Sequence, residues 1–232
     1  MIYSNVFIES ISYELGTNIV TSESLEDRLA PVYRKLHINP GQLEALTGIK
    51  ERRFWDPDYQ LPECAIQVGK KALAESKIEP CKIGMLLYAG VRKTFREPAM
   101  ACLIASALNL ADDTDMYDIT NACLGVMDGI TQIANAIELG QIQAGMVIAC
   151  ESSREVIDLT IDKLLETPDI ELFKTTFATL TGGSGAIAVL LTDKLHNTTR
   201  HRLLGGLQEM HQNIMTCVFG IVKQLVINLS RS

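Results

Sequence analysis

The sequence predicts an α/β layer fold, because strand-like apolar runs alternate with segments of helical periodicity along most of its 232 residues. Runs typical of buried strands cover residues 83–89, 116–120, 145–150 and the end of 179–191. Helical spacing of apolar residues lies between them, at 61–77, from Pro98 onward, at 124–140 and at 156–165. With 47% hydrophobic residues, the chain can bury a sizeable core.

The flanking regions are less regular. Residues 2–15 alternate in polarity and predict a first strand, and Ser22 or Ser24 is expected to cap a helix that runs to about residue 36. Residues 47–55 indicate a turn and a basic, aromatic edge, for which a solvated loop is an alternative. The polar stretch 167–177 predicts an irregular surface insertion. The glycine turn in 179–191 precedes a strand and has no G-K-[ST], which argues against a phosphate loop.

Residues 116–140 organise the chain as a strand, a tight turn at Asn121 and Ala122, and a long apolar helix closed by Gly140. Cys123 therefore lies at the strand-to-helix elbow. The unpaired N–H groups and the positive end of a helix dipole favour a thiolate at such a position. Cysteines at helix N-termini are a recurring source of nucleophilic thiols, so Cys123 is a candidate nucleophile. The alternative is a small buried core cysteine.

Composition excludes several classes of function. The net charge is −7 without a basic stripe, which argues against a nucleic-acid partner. The six cysteines form neither a zinc pattern nor a disulfide framework, and we expect no metal and a reducing, cytoplasmic location. The N-terminus lacks the basic region of a signal peptide, and no apolar run approaches the ~20 residues of a membrane span.

Four motifs in order resemble the 3-oxoacyl-ACP synthase III family of thiolase-fold condensing enzymes. They are T-G-I-K-E-R-R at 47–53, E-P-A at 97–99, D-I-T-N-A-C-L-G at 118–125, and the segment from Phe177 through G-x-G-A to Leu190. The E-P-A motif favours the olefin-type, head-to-head (OleA-like) branch. The resemblance implies a thiolase-like N-terminal half over 1–207, with a mixed sheet, helices on both faces and a buried central helix behind Cys123.

The same resemblance implies the chemistry. Cys123 would accept an acyl group as a thioester, and Glu97 would act as a general base that reaches the partner subunit's site. An otherwise plain first-turn acid is the alternative for Glu97. The implied reaction is a Claisen condensation, decarboxylative or head-to-head, in fatty-acid or long-chain lipid and olefin synthesis. No cofactor is implied. The expected partners are acyl carrier protein or coenzyme A thioesters and a second subunit, most simply in a homodimer.

The family also uses a histidine and usually an asparagine from a second half, which we expect to be absent because His37, His196, His201 and His211 come too early. Residues 210–232 contain no acidic residue, so 208–232 is predicted to be an atypical tail and not the family's own continuation; a genuine C-terminal strand or helix is the alternative. A catalytically impaired half-domain, acting only as an interaction partner or as a pseudogene product, therefore stays open beside the enzyme.

Overall fold

The computed structural model describes residues 1–206 and 229–231, which form two compact units. The first unit comprises Met1–Ser12, Ala65–Ala149 and the described part of Ile187–Ser232. The second unit comprises Tyr13–Cys64 and Cys150–Ala186. Strands and helices alternate along the chain, which confirms the predicted α/β class.

The strands are β1 (Val6–Leu15), β2 (Asn18–Thr21), β3 (Glu51–Phe54), β4 (Ile83–Tyr88), β5 (Asp115–Asp118), β6 (Ala144–Glu151), β7 (Gly185–Asp193), β8 (His201–Leu203) and β9 (Leu229–Arg231). The helices are α1 (Ser22–Arg28), α2 (Ala30–Leu36), α3 (Gln42–Thr47), α4 (Leu61–Ser76), α5 (Met100–Ala107), α6 (Gly125–Glu138), α7 (Arg154–Glu166) and α8 (Ile170–Thr176).

The first unit is built on a mixed sheet with the strand order β5-β4-β6-β7-β1-β8-β9. β4 pairs in parallel with β5 and β6, whereas β8 pairs antiparallel with β1 and β9. β4 and β6 are buried along almost their whole length, as expected for parallel strands that are covered on both faces.

Helices cover both faces of this sheet. A Cβ added to Gly69 of α4 would lie 2.9 Å from the Ile148 side chain, and one added to Gly129 of α6 would lie 2.4 Å from the Val147 side chain. Because successive strand residues point to opposite faces, α4 and α6 pack on opposite sides of β6. α6 buries Ile130, Ile133, Ala134 and Ile137, and it ends as predicted, with Gly140 at φ +71° donating its N–H to Ile137.

The second unit combines the antiparallel strand pair β2–β3 with five α-helices. Its core is apolar and drawn from both of its chain segments: Leu25, Leu29, Val32, Tyr33, Leu43, Phe54, Ile157, Ile161, Leu164, Phe173 and Leu180.

Three local expectations are wrong. The helix expected to run to residue 36 is two helices separated at Leu29, before Pro31, and its N-cap is Thr21, whose Oγ1 accepts from the Ser24 N–H at 3.0 Å. The solvated-loop alternative for 47–55 fails because Glu51–Phe54 is β3, paired with β2. Residues 167–177 are not irregular, since they contain α8 with a buried Phe173.

The motif T-G-I-K-E-R-R therefore has a structural role in the second unit. Arg52 of β3 is buried and donates to the Ser22 hydroxyl at 2.9 Å and to the Val20 carbonyl at 3.3 Å. Burial lowers the pKa of its guanidinium. Most of the predicted tail 208–232 lies outside the described residues. Its described part, residues 229–231, forms β9, which pairs with β8.

Candidate active site

The two sequence-predicted site residues follow neighbouring parallel strands of the first unit. Tyr88, the last residue of β4, is paired with Asp118, the last residue of β5. The Ile119 N–H donates to the Tyr88 carbonyl at 2.8 Å and extends this pairing by one step. Glu97 lies in the loop after β4, and Cys123 lies in the turn after β5. Both loops therefore leave the carboxyl edge of the sheet, where open α/β sheets bind ligands.

Cys123 occupies a sharp elbow, as predicted. The backbone makes one 3-10 turn at Ala122–Leu124, closed by the Leu124 N–H donating to the Asn121 carbonyl at 2.9 Å, and α6 starts at Gly125. Ala122 has φ +44°, a left-handed conformation that costs a residue with a Cβ about 1–3 kcal/mol unless its surroundings impose it. The side chain of Cys123 is exposed and carries a free thiol, so the buried-core alternative is wrong.

Close backbone packing holds the first turn of α6 in place. A Cβ added to Gly125 would lie 2.6 Å from the Ala89 carbonyl oxygen, which is closer than real Cβ atoms approach. Glycine is therefore required immediately after the elbow, because any side chain would push α6 away from the end of β4.

A polar contact spans the elbow. The Asn121 side-chain amide donates to Asp128 Oδ2 at 2.6 Å. Asn121 precedes Cys123, while Asp128 lies in the first turn of α6, so this hydrogen bond joins the two flanks of the elbow. Asn121 was predicted only as a turn residue and Asp128 was not predicted to take part in the site, because hydrogen-bond partners of polar side chains are not readable from periodicity.

The loop that carries Glu97 is anchored to the end of β5. Asp118, whose side chain is 7% exposed, accepts from the N–H groups of Met100 at 3.1 Å and Ala101 at 3.0 Å and pairs with Lys93 Nζ at 2.9 Å. Asp118 thus satisfies the first amides of α5 and is a further residue of the site whose role was not predicted from the sequence. Glu97 itself is exposed and precedes the Ala99 N-cap, so it is not the acid of the first helical turn.

The remaining thiols differ in exposure. Cys81 is exposed, Cys64 and Cys102 are half-buried and Cys150 is buried, whereas Cys217 lies outside the described residues. Burial raises the pKa of the Cys64 thiol, and a hydrogen bond with Cys150 partly opposes this effect.

The described histidines belong to other parts of the chain than the elbow around Cys123. His37 caps the end of α2, His196 contacts Asp193 at 2.7 Å, and His201 begins β8. Among residues 1–206 and 229–231, no cluster of three His, Cys, Asp or Glu side chains is placed to hold a metal ion. Within the same ranges, no helix is both long enough and apolar enough to cross a bilayer.

Comparison with known proteins identifies this arrangement. The model of the family described as 3-Oxoacyl-[acyl-carrier-protein (ACP)] synthase III matches residues 117–205, a range that starts in β5 and includes Cys123. The acyl-CoA:acyl-CoA alkyltransferase of Shewanella oneidensis is 51% identical to the chain, over 92% of the chain and 66% of that relative. The enzyme of the same name from Xanthomonas campestris is 32% identical, over 82% of the chain and 57% of its own length.

Solved structures give the same result. Xanthomonas campestris OleA bound to acetamide superposes with a TM-score of 0.86 at 30% identity, over 93% of the chain and 67% of OleA. A cerulenin-bound crystal of that protein gives a TM-score of 0.85, over 92% of the chain and 66% of OleA. The fold is therefore that of the thiolase-fold condensing enzymes. The chain belongs to the 3-oxoacyl-ACP synthase III family and, within it, is similar to the OleA-like branch. It spans about two thirds of the length of its curated Shewanella relative.

Proposed function

We propose that this chain takes part in acyl transfer, with Cys123 as the residue that accepts the acyl group. The observation that carries the proposal is the exposed, free thiol at the elbow in front of α6, within the range that matches the synthase III family. Two relatives are named acyl-CoA:acyl-CoA alkyltransferases, and another, from Streptomyces lividans, is a beta-ketoacyl-[acyl-carrier-protein] synthase III. The substrate class common to these names is an acyl thioester.

The first step is a transthioesterification. The Cys123 thiolate attacks the thioester carbonyl, the bond from that carbon to the carrier's sulfur breaks, and the carrier leaves as a thiolate that takes up a proton. Acyl-Cys123 is the product, and no oxidant, metal or cofactor is consumed. Coenzyme A and acyl carrier protein both fit as carriers.

The second step is a Claisen condensation, in which Glu97 removes an α-proton from a second acyl thioester. The resulting carbanion attacks acyl-Cys123, and the Cys123 thiolate leaves, so that a β-ketoacyl thioester forms. The exposed position of Glu97, on the loop that Asp118 anchors, supports a role of this base in the site of a neighbouring subunit. A decarboxylative condensation of a malonyl thioester is the alternative and would not need this base. The similarity to the OleA-like branch favours the head-to-head reaction.

The working assembly proposed here is a cytoplasmic homodimer, or a dimer with a partner subunit, that acts in fatty-acid or long-chain lipid synthesis. The alternative hypothesis, that the chain is only an interaction partner, predicts no acylation at all. Acylation of Cys123 therefore decides between the two hypotheses.

The test is intact-protein mass spectrometry after incubation with an acyl-CoA such as octanoyl-CoA. We expect one acyl group per chain, released by neutral hydroxylamine as thioesters are and mapped to the peptide that contains Cys123. C123S should abolish this adduct. C81S removes the other exposed cysteine of the described residues and is the matched control, which should acylate normally. Acylation that persists in C123S, or no acylation of the native chain, would overturn the proposal.

A further inference from the structure

The hydrogen bond between Asn121 and Asp128 is the starting point of a further inference. Asn121 stands two residues before Cys123, and Asp128 stands five residues after it on the first turn of α6. Their side chains meet at 2.6 Å, between the amide nitrogen and Oδ2. The contact therefore closes a loop around Ala122 and Cys123.

The backbone of the elbow needs such a restraint. Ala122 is at φ +44°, and it is not a residue type that favours the left-handed region, unlike Gly, Asn or Asp. A conformation of this kind persists when surrounding contacts over-determine it. Close packing of Gly125 against Ala89 fixes the helix side, and the Ile119–Tyr88 hydrogen bond fixes the strand side. Between these two points, the Asn121 side chain is the polar group that bridges to the helix.

We propose that Asn121 and Asp128 form a latch that positions the Cys123 thiol for attack. Both are positioning residues: the latch sets the direction of the thiol, and neither residue contacts the acyl group or takes part in proton transfer. This inference rests on the proposed function only where it predicts slower acylation. The effect of the latch on the reactivity of the thiol can be measured by alkylation alone.

Asp128 could instead influence the reactivity of Cys123 through its negative charge, which is the competing explanation. A carboxylate near the start of α6 would disfavour a neighbouring thiolate, and its removal would then speed up alkylation. The latch predicts the opposite, because its removal frees the elbow to leave the reactive geometry. Replacing Asp128 by Asn separates the two effects: the side-chain oxygen that accepts from Asn121 is kept, and the charge is lost.

The test measures the rate of Cys123 alkylation by iodoacetamide at fixed pH in N121A, D128A, D128N and the double variant N121A/D128A. We expect N121A and D128A each to slow the reaction, because the released elbow no longer holds the Cys123 thiol in its exposed position. The double variant should be no slower than either single variant, because each substitution already breaks the same contact. D128N should react at close to the native rate.

Q132A, at an exposed position of α6, is the matched control and should react like the native chain. Circular dichroism and thermal melts establish that each variant is folded, and D128N provides the decisive comparison should an alanine variant unfold. Faster alkylation in both D128A and D128N would show a charge effect and overturn the latch. Additive losses in the double variant, or a native rate in N121A, would also overturn it.

Acylation by octanoyl-CoA is followed in the same variants. The latch predicts a lower maximal acylation rate at unchanged half-saturating octanoyl-CoA, with rescue in D128N. If the native chain is not acylated while the alkylation rates follow the predicted pattern, the proposed function fails and the latch stands. If the native chain is acylated while the alkylation rates do not follow it, the latch fails and the proposed function stands.

Discussion

Substitution of Gly125 by alanine tests whether the position of α6 sets the reactivity of Cys123. The added Cβ would lie 2.6 Å from the Ala89 carbonyl oxygen and 3.4 Å from the Ala89 Cβ. The nearer obstacle is backbone at the end of β4, which cannot rotate out of the way. Ordinary contact begins at 3.4 Å, so the distance from the added Cβ to the Ala89 carbonyl oxygen must grow from 2.6 to 3.4 Å. The start of α6 must therefore shift by about 0.8 Å.

Two effects follow from this displacement. Overpacking of this kind typically costs about 1–3 kcal/mol of unfolding free energy. For a chain of this size, each kcal/mol lowers the melting temperature by about 2–4 °C, so G125A should melt roughly 2–12 °C below the native chain. Cys123 lies two residues before Gly125 and should move with the helix. Misplacement of a reacting group by about 1 Å can cost as much as 100-fold in rate, so acylation by a bound acyl-CoA should slow by up to about that factor.

The assay pairs thermal melts with acylation and alkylation rates of Cys123 at a temperature where every variant is folded. G183A is the control, because a Cβ at Gly183 meets its nearest atom at 3.6 Å, an ordinary contact, and G183A should change neither property appreciably. A native melting temperature and native Cys123 rates in G125A would refute the claim that close packing at Ala89 fixes the elbow. A loss of stability with unchanged Cys123 rates would show that the elbow does not depend on the helix start.

Two further predictions concern the anchors of the first unit. D118A removes the acceptor of two α5 amides and the partner of Lys93, so trypsin should cut loop 90–99 faster than in the native chain. The same loop should be cut less in D118N than in D118A. Equal cleavage of the native chain and both variants would mean that other contacts hold the loop. Burial raises the pKa of the Glu138 carboxyl, but hydrogen bonds from Ser4 and Asn5 outweigh this and hold it below its ordinary value. This stabilisation is present above the unfolded pKa of about 4.3 and is lost as the pH falls through the lower folded value. E138Q should therefore lower the urea midpoint at pH 7 and flatten its decline in acid; a parallel decline in both proteins would exclude Glu138 as the cause.

Local sequence determined the parts of this protein whose physics is local. The apolar runs gave β4 and β6, because strands buried on both faces must be apolar along their length. Helical spacing and a terminal glycine predicted α6 and its end at Gly140. The turn between β5 and α6 placed Cys123 at an elbow, and the structure confirms this placement.

Contacts between residues distant in sequence decided the rest. The basic, aromatic segment after Gly48 is a strand only because β2, about 30 residues earlier in the chain, pairs with it. The helix at residues 170–176 lies in a largely polar stretch and is held by a long-range contact, since Phe173 packs edge-on against Tyr33 at 5.7 Å. Tertiary burial of one aromatic side chain outweighs the weak helical preference of its neighbours.

The site shows the same division. The strand–helix turn selected Cys123 as a candidate nucleophile, and the resemblance of the E-P-A motif to the OleA-like branch selected Glu97. Only the tertiary structure showed that Asp118 holds the start of α5, 18 residues earlier in the chain, and that Asn121 reaches Asp128. Neither contact leaves a periodic pattern in the sequence, so its partners become known only from the structure.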